Sequence, residues 1–171
     1  MYNREIKFAL TLGVVAWAVY EFSISNIGNG IFLVLLSGLV VLSIFKNENL
    51  LWALFQLRKG DNEKALKAVQ RVKAPEKLIK SQEAYYYYLT GLLESQMQSL
   101  GKAEKYFKKA LKTGLRLQED QAVAKLNLAG IAMSKRKKRD AQHLLSQAKK
   151  LDKRGLLNDQ IKLLQNQLRR I

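Results

Sequence analysis

The chain of 171 residues contains no cysteine, one proline and one histidine. Without cysteine, it has neither disulfides nor thiolate metal ligands. A single proline in a chain that is 48% hydrophobic and 26% charged favours helices around a real core. No Gly-rich phosphate loop, paired-histidine metal motif or nucleophile elbow accompanies the lone His143. We therefore expect a protein that is not an enzyme and has no cofactor, no metal site and no small-molecule substrate.

Basic residues are missing from one long segment. No lysine or arginine occurs from residue 8 to residue 45, although the chain has 30 of them against 14 Asp+Glu and a formal net charge of +16. Two precede that segment and 28 follow it. The sequence therefore divides near residue 45 into an apolar part and a basic part, and a surface as basic as the second attracts anionic lipid, nucleic acid or acidic protein.

The apolar part contains two uncharged runs, FALTLGVVAWAVY at 8–20 and IFLVLLSGLVVLSIF at 31–45. With its neighbours each run reaches 19 residues, or about 28 Å of helix against a hydrocarbon core of roughly 30 Å. The stretch SNIGNG between them has the Asn and Gly residues of a turn. These features predict a transmembrane helical hairpin over residues 1–45.

The flanking charges predict how such a hairpin would be oriented. Arg4 and Lys7 precede the first run and Lys46 follows the second, so the positive-inside rule predicts an inner-membrane protein with two spans and both termini cytoplasmic. Two alternatives stay open at this stage. The first run could be a cleaved secretory signal, or both helices could be buried in a protein complex.

The basic part repeats one pattern three times. Ala65, Ala103 and Ala141 are 38 residues apart. Each is followed four residues later by a larger apolar residue and three residues after that by a further apolar one; these followers are Val69, Phe107 and Leu145, then Val72, Ala110 and Ala148. Spacings of four and three place all of them on one helix stripe, where a small residue lets a second helix come close.

The motifs around these alanines resemble the tetratricopeptide repeat. KLNLAG at 125–130 precedes Ala141, Tyr87 and Gly91 precede Ala103, and Trp52, Ala53 and the turn residue Gly60 precede Ala65. The resemblance implies three helix pairs over residues 46–153 stacked as an α-solenoid. The period of 38 exceeds the family's roughly 34 residues, so longer linkers are expected.

A capping helix is expected over residues 154–171. A stack of helix pairs needs a last helix with a polar outer face, and Leu157, Ile161, Leu164 and Leu168 fall on one stripe of this tail. The complete prediction is therefore an all-α protein: a transmembrane hairpin, three repeat pairs and a cap.

In the family that this chain resembles, partners bind a groove lined by the first helix of each pair. The register carried over from that family points seven residues into the groove: Tyr85, Tyr88, Leu92, Ser95, Val123, Leu126 and Met133. Such a surface suits an apolar extended or helical segment. Tyr85 and Tyr88 fit a binding surface or a cover between repeats equally well, and we expect Tyr87 in the core.

A second candidate site is the basic turn, which comprises Lys135, Arg136, Lys137, Lys138 and Arg139. Next to a bilayer each of its cations would contribute about 1 kcal/mol of attraction to anionic lipid. Binding of RNA or ribosomes and a merely solvated turn are the other interpretations.

The sequence therefore predicts a membrane-anchored tetratricopeptide-like adaptor or scaffold. It would bind a partner protein, itself membrane-associated, at the cytoplasmic face as an accessory subunit of a membrane complex. The alternative is a membrane tether for ribosomes or RNA through the basic surface.

Overall fold

The computed structural model describes residues 4–45 and 48–170, and within these ranges it is helical, without a strand. The described α-helices are α1 (Arg4–Ser23), α2 (Ile27–Phe45), α3 (Glu48–Arg58), α4 (Asn62–Gln70), α5 (Lys80–Gln96), α6 (Leu100–Thr113), α7 (Gln118–Ser134), α8 (Lys138–Leu151) and α9 (Asn158–Arg169). A short 3₁₀ turn, Pro75–Lys77, precedes α5. The all-α prediction is confirmed. The chain divides into two compact units, Met1–Glu48 and Asn49–Ile171.

The second unit contains three consecutive helix pairs, α3/α4, α5/α6 and α7/α8. We call α3, α5 and α7 the A helices and α4, α6 and α8 the B helices. α5 packs on α6 and α7 on α8, while α4–α5, α6–α7 and α5–α7 contacts join neighbouring pairs. α3 and α4 supply Leu50, Ala53 and Val69 to the same hydrophobic cluster as α5 and α6.

The predicted stripe of the B helices forms the centre of this unit. Ala65, Ala103 and Ala141 are fully buried. The residues that follow them on the stripe are buried as well: Val69, Phe107, Leu145, Val72, Ala110 and Ala148. The 38-residue period of the sequence is therefore a period of buried contacts.

The turns between A and B helices repeat with the same period. Gly60, Gln98 and Arg136, which are 38 residues apart, have positive φ angles of 80°, 58° and 55°. In each turn the next residue donates its backbone N–H to the carbonyl five residues earlier, at 3.0, 2.9 and 2.8 Å. All three pairs thus reverse direction through one turn geometry, although only the first has glycine at the left-handed position.

Replacing Gln98 by glycine is expected to stabilise the second unit by about 0.5–1 kcal/mol. A left-handed backbone costs a non-glycine residue about 1–2 kcal/mol, part of which is offset by the greater entropy of glycine in the unfolded chain. Urea unfolding of the full chain measures the change. Met97→Gly is the matched control, because Met97 is exposed and has a negative φ of −79°. If both substitutions destabilise, the left-handed turn is not the native one.

The last helix, α9, packs against α8 and α7. Ile161 and Leu168 are buried, and Leu157 and Leu164 are partly buried against the same cluster. The loop before α9 is held by Asp152, whose carboxylate accepts hydrogen bonds from the backbone N–H groups of Leu156 at 3.0 Å and Leu157 at 2.7 Å. The predicted apolar stripe of the tail therefore covers the third helix pair.

The first unit is a pair of mutually packed helices, α1 and α2, and its turn has the same geometry. Ser25 has a φ of 61°, and Asn26 donates its N–H to the Glu21 carbonyl five residues earlier, at 2.9 Å. The small residues Ala18 and Gly30 are buried and twelve residues apart. Ala53 and Ala65 have the same spacing and burial in the second unit. The first unit therefore has the local pattern of a repeat pair, a likeness that the sequence did not reveal.

The prediction of two membrane spans in an inner membrane is wrong. Within residues 4–45 and 48–170, no helix combines the length and the apolar character needed to cross a bilayer. The physical reason in α1 is that Arg4, Glu5, Lys7 and Glu21 lie within the helix, so that its uncharged run, residues 8–20, covers only 13 of its 20 residues. Runs of roughly 10–14 residues are shorter than a span.

Candidate functional site

The seven residues predicted to line a groove all lie on the A helices α5 and α7, but their exposure differs. Four of them are partly buried: Tyr85, Leu92, Ser95 and Val123. The other three are buried: Tyr88, Leu126 and Met133. We call the four partly buried residues the A-helix face. The register carried over from the repeat family thus selected a mixture of surface and core positions on these two helices.

Tyr88 is a core residue and is not part of an open groove. Only 5% of its surface is exposed. Its ring lies 6.4 Å from that of Phe107 and 5.7 Å from that of Tyr85, between ring centres. The carboxylate of Asp120 lies beside its hydroxyl, and burial raises the pKa of this hydroxyl well above its ordinary value. Tyr87 is buried as predicted.

A polar cluster beside the A-helix face draws on all three A helices. It comprises Arg58 at the end of α3, Tyr85 and Tyr88 on α5, and Asp120 in the first turn of α7. Burial raises the pKa of the Asp120 carboxyl, although the Tyr88 hydroxyl and the charge of Arg58 act to lower it. Burial also raises the pKa of Tyr85. Sequence reasoning missed Arg58 and Asp120 because neither belongs to a periodic stripe or a motif.

Ser95 joins two A helices. Its hydroxyl donates to Oδ1 of Asn127 on α7 at 3.3 Å, and Nδ2 of Asn127 donates to the Val123 carbonyl at 2.9 Å. The asparagine that carried the resemblance to the repeat family therefore links α5 to α7. This link joins the two helices that carry the A-helix face.

A shallow groove continues from α7 onto the capping helix. It has a volume of about 420 Å³, and Met133 contributes to its wall although most of that side chain is buried. The other lining residues are Gly130, Ser134, Leu164, Gln167 and Arg170. Of the three buried residues of the predicted groove, Met133 therefore keeps a place at an open surface.

The five residues of the basic turn are all exposed: Lys135, Arg136 and Lys137 connect α7 to α8, whereas Lys138 and Arg139 begin α8. Lys135 forms an ion pair with Glu104 of α6, which also accepts a hydrogen bond from Lys108 at 2.6 Å. Lys108 and Lys135 together lower the pKa of Glu104 to about 2. One cation of the basic turn is therefore bound to the preceding helix pair.

No protein-family model, no curated protein and no solved structure matches this chain.

Replacing Glu104 by glutamine is expected to destabilise the chain at pH 7 by about 1 kcal/mol or less, since such pairs near a surface are weak. The folded-state pKa of Glu104 is about 2, below the ordinary glutamate value of 4.5. Its carboxylate therefore contributes stability above about pH 4.5, and this contribution is lost as the pH falls towards 2. Urea unfolding from pH 7 to pH 2 should show the two proteins converging. With Glu63→Gln on α4 as the control, a constant difference at every pH would contradict the role of this ion pair.

The positive charge belongs almost entirely to the second unit. Residues 1–48 contain three basic and three acidic residues, whereas residues 49–171 contain 27 and 11. Many of the cations are exposed on the B helices, among them Lys64, Lys67, Lys102, Lys105, Lys109, Lys149 and Lys150. Several acids are engaged within the fold, such as Asp120, Asp152 and Glu104. The B helices consequently present a basic surface. Among residues 4–45 and 48–170, no three histidine or acidic side chains converge to hold a metal ion.

Proposed function

We propose that the second unit is a tetratricopeptide-like repeat module, an α-solenoid of three helix pairs and a cap, and that the protein is an adaptor or accessory subunit that binds a partner protein. The observation that carries this proposal is the coincidence of two 38-residue periods. Buried small residues at Ala65, Ala103 and Ala141 recur with left-handed turn residues at Gly60, Gln98 and Arg136. Stacked repeats present neighbouring helices as one continuous surface, which is how such proteins bind others.

The binding surface that we propose is the A-helix face. Tyr85, Leu92 and Val123 offer partly exposed apolar area on adjacent helices, and tyrosine is well suited to interfaces because it combines an apolar ring with a polar tip. Arg58 and Asp120 lie beside Tyr85 and provide one charge of each sign. This combination suits a partner segment with apolar side chains and a few polar groups.

Purification of the tagged full-length protein in a mild non-ionic detergent tests this proposal. The detergent is needed because the first unit exposes many large apolar side chains, including Leu12, Trp17 and Phe32. The amount of a companion protein identified in this way should fall at least tenfold when Tyr85 and Leu92 are both replaced by alanine. Tyr88 is left unchanged because it is a core residue.

The matched control replaces Leu66 and Tyr106 by alanine. These residues also pair an aliphatic with an aromatic side chain and are also partly buried, but they lie on the B helices α4 and α6. Retention of the companion by this control, with loss in the A-helix variant, supports the proposal. Equal loss from both variants, or retention by both, would contradict it.

A second candidate function is the binding of RNA or ribosomes through the B helices. The confinement of the net charge to the second unit favours it, because phosphate contacts need many exposed cations. Such binding weakens steeply as salt rises, whereas an apolar contact persists. Companion recovery at about 50 and about 200 mM salt distinguishes the two, and binding to anionic but not zwitterionic vesicles would reveal lipid headgroups as the ligand.

A further inference from the structure

A cleft of about 390 Å³ lies between the second and third helix pairs, on residues other than the A-helix face. Its walls come from α6, α7 and α8. Its floor is apolar and consists of Leu111, Leu128, Ala132 and Leu144. Its rim is charged and consists of Glu104, Lys108, Lys135, Lys137 and Asp140, with His143 beside them. The cleft therefore combines an apolar floor with a largely cationic entrance.

The repeat itself shows what kind of side chain this space suits. Leu144 stands 38 residues after Tyr106, so that the two occupy equivalent positions on α8 and α6. In the earlier copy the Tyr106 ring is partly buried and stacks on Tyr87, with 6.3 Å between ring centres. In the later copy the aromatic pair is replaced by Leu144 and Lys125. The chain thus fills the earlier position with its own aromatic ring and leaves a cleft beside the later one.

The charges around the cleft indicate the sign of its ligand. The three lysines of the rim outnumber its two acids, Glu104 and Asp140, by one, and Glu104 is already paired with Lys108 and Lys135. Lys137 lies at the rim, and the exposed cations Lys138 and Arg139 follow it in the basic turn. A segment that approaches the entrance therefore meets net positive charge, and carboxylates complement it.

We propose that this cleft is a second protein-binding site for an acidic peptide segment, which inserts one aromatic or leucine side chain onto the apolar floor and places its carboxylates on the lysines of the rim. The buried side chain supplies most of the affinity, because interface energy concentrates in a few anchors that fill pockets. The rim lysines supply specificity for acidic sequences. This site is independent of the A-helix face and of the partner proposed to bind there.

Fluorescence anisotropy with the full-length protein in non-ionic detergent tests the cleft. The probes are labelled peptides EEDXEDE in which X is Phe, Trp, Leu or Ala, at fixed physiological salt. We expect the best of the three apolar peptides to bind at least tenfold tighter than the Ala peptide. The Leu144→Tyr variant, which places the tyrosine of the previous repeat at this position, should weaken the binding of that peptide at least tenfold.

Two further variants make the result decisive. Leu163→Tyr adds the same ring to an exposed position on α9 and should leave binding unchanged. Lys137→Glu alters only the rim and leaves the floor open, and it should weaken the binding of all four peptides. It replaces Leu144→Tyr as the test variant if Leu144→Tyr loses helical content. The proposal is overturned if the apolar and Ala peptides bind alike, if none binds at 1 mM, or if Leu144→Tyr folds normally and binds as well as the parent.

Discussion

Replacing Gly91 by alanine is expected to destabilise the second unit by about 1–3 kcal/mol, the usual cost of overpacking a core. A Cβ atom at Gly91 would meet the Phe107 ring at 2.9, 3.0 and 3.1 Å, closer than atoms of a packed core approach. Phe107, on α6, cannot move aside easily because its side chain is fully buried in the hydrophobic core. Urea unfolding of the full chain in non-ionic detergent, followed by helical circular dichroism, measures the loss.

The other two repeats indicate how the loss can be rescued. Where the second pair has Gly91 opposite Phe107, the first has Ala53 with Val69 and the third has Ala129 with Leu145, all of them buried. Alanine is thus compatible with a smaller partner at the B-helix position. Phe107→Leu should therefore suppress much of the cost of Gly91→Ala, with a coupling free energy of about 1 kcal/mol or more. Strictly additive effects would show that the two side chains do not share this space.

Replacing Asp152 by alanine is expected to cost about 1–3 kcal/mol, because it leaves two backbone N–H groups of the α8–α9 loop without their acceptor. Asp152 is 8% exposed and accepts hydrogen bonds from the backbone of both Leu156 and Leu157. Leu157 in turn packs against the cluster that α9 covers. Hydrogen exchange should show faster opening of α9 and of the end of α7, in addition to the lower unfolding free energy.

Asp159→Ala is the matched control for this substitution. Asp159 is an exposed acid in the first turn of α9, so its removal should cost only about 0.5 kcal/mol through the helix dipole. If both substitutions cost the same, Asp152 contributes as a surface charge and does not hold the loop of the capping helix.

The helices of the second unit could be predicted from the sequence because small residues recur in it at a fixed period. Ala65, Ala103 and Ala141 identify one buried stripe at a fixed period, and only a small side chain fits where two helices approach closely. The stripe of the tail predicted α9 for the same reason. In the structure α9 begins at Asn158, and the division between the two units falls after Glu48.

The membrane spans were predicted wrongly for the first unit because that prediction was based mainly on hydropathy. Its runs of apolar residues suggested lipid, whereas the described helices do not meet the requirements of a span. The likeness of its turn to the other three was hidden because Ser25 lies 35 residues before Gly60, outside the 38-residue period. Gly30 also replaces the alanine of the stripe.

The candidate site could be predicted only in part. Four adjacent tyrosines at 85–88 point to all sides of a helix, and the sequence does not state which side faces Phe107. Tyr88 therefore seemed available for binding, although it packs in the core. Interactions between neighbouring repeats, such as the ion pair of Glu104 with Lys135 and the proximity of Tyr88 to Asp120, follow no local spacing and became visible only in the fold.

Site-specific photocrosslinking with the purified companion protein tests the central proposal most directly. A photoreactive amino acid replaces Tyr85 or Leu92 on the A-helix face, and Lys67 or Lys105 on the exposed side of the B helices. The proposal predicts covalent adducts from positions 85 and 92 and none above background from positions 67 and 105. Adducts from the two lysine positions alone would contradict it and would place the partner on the basic surface.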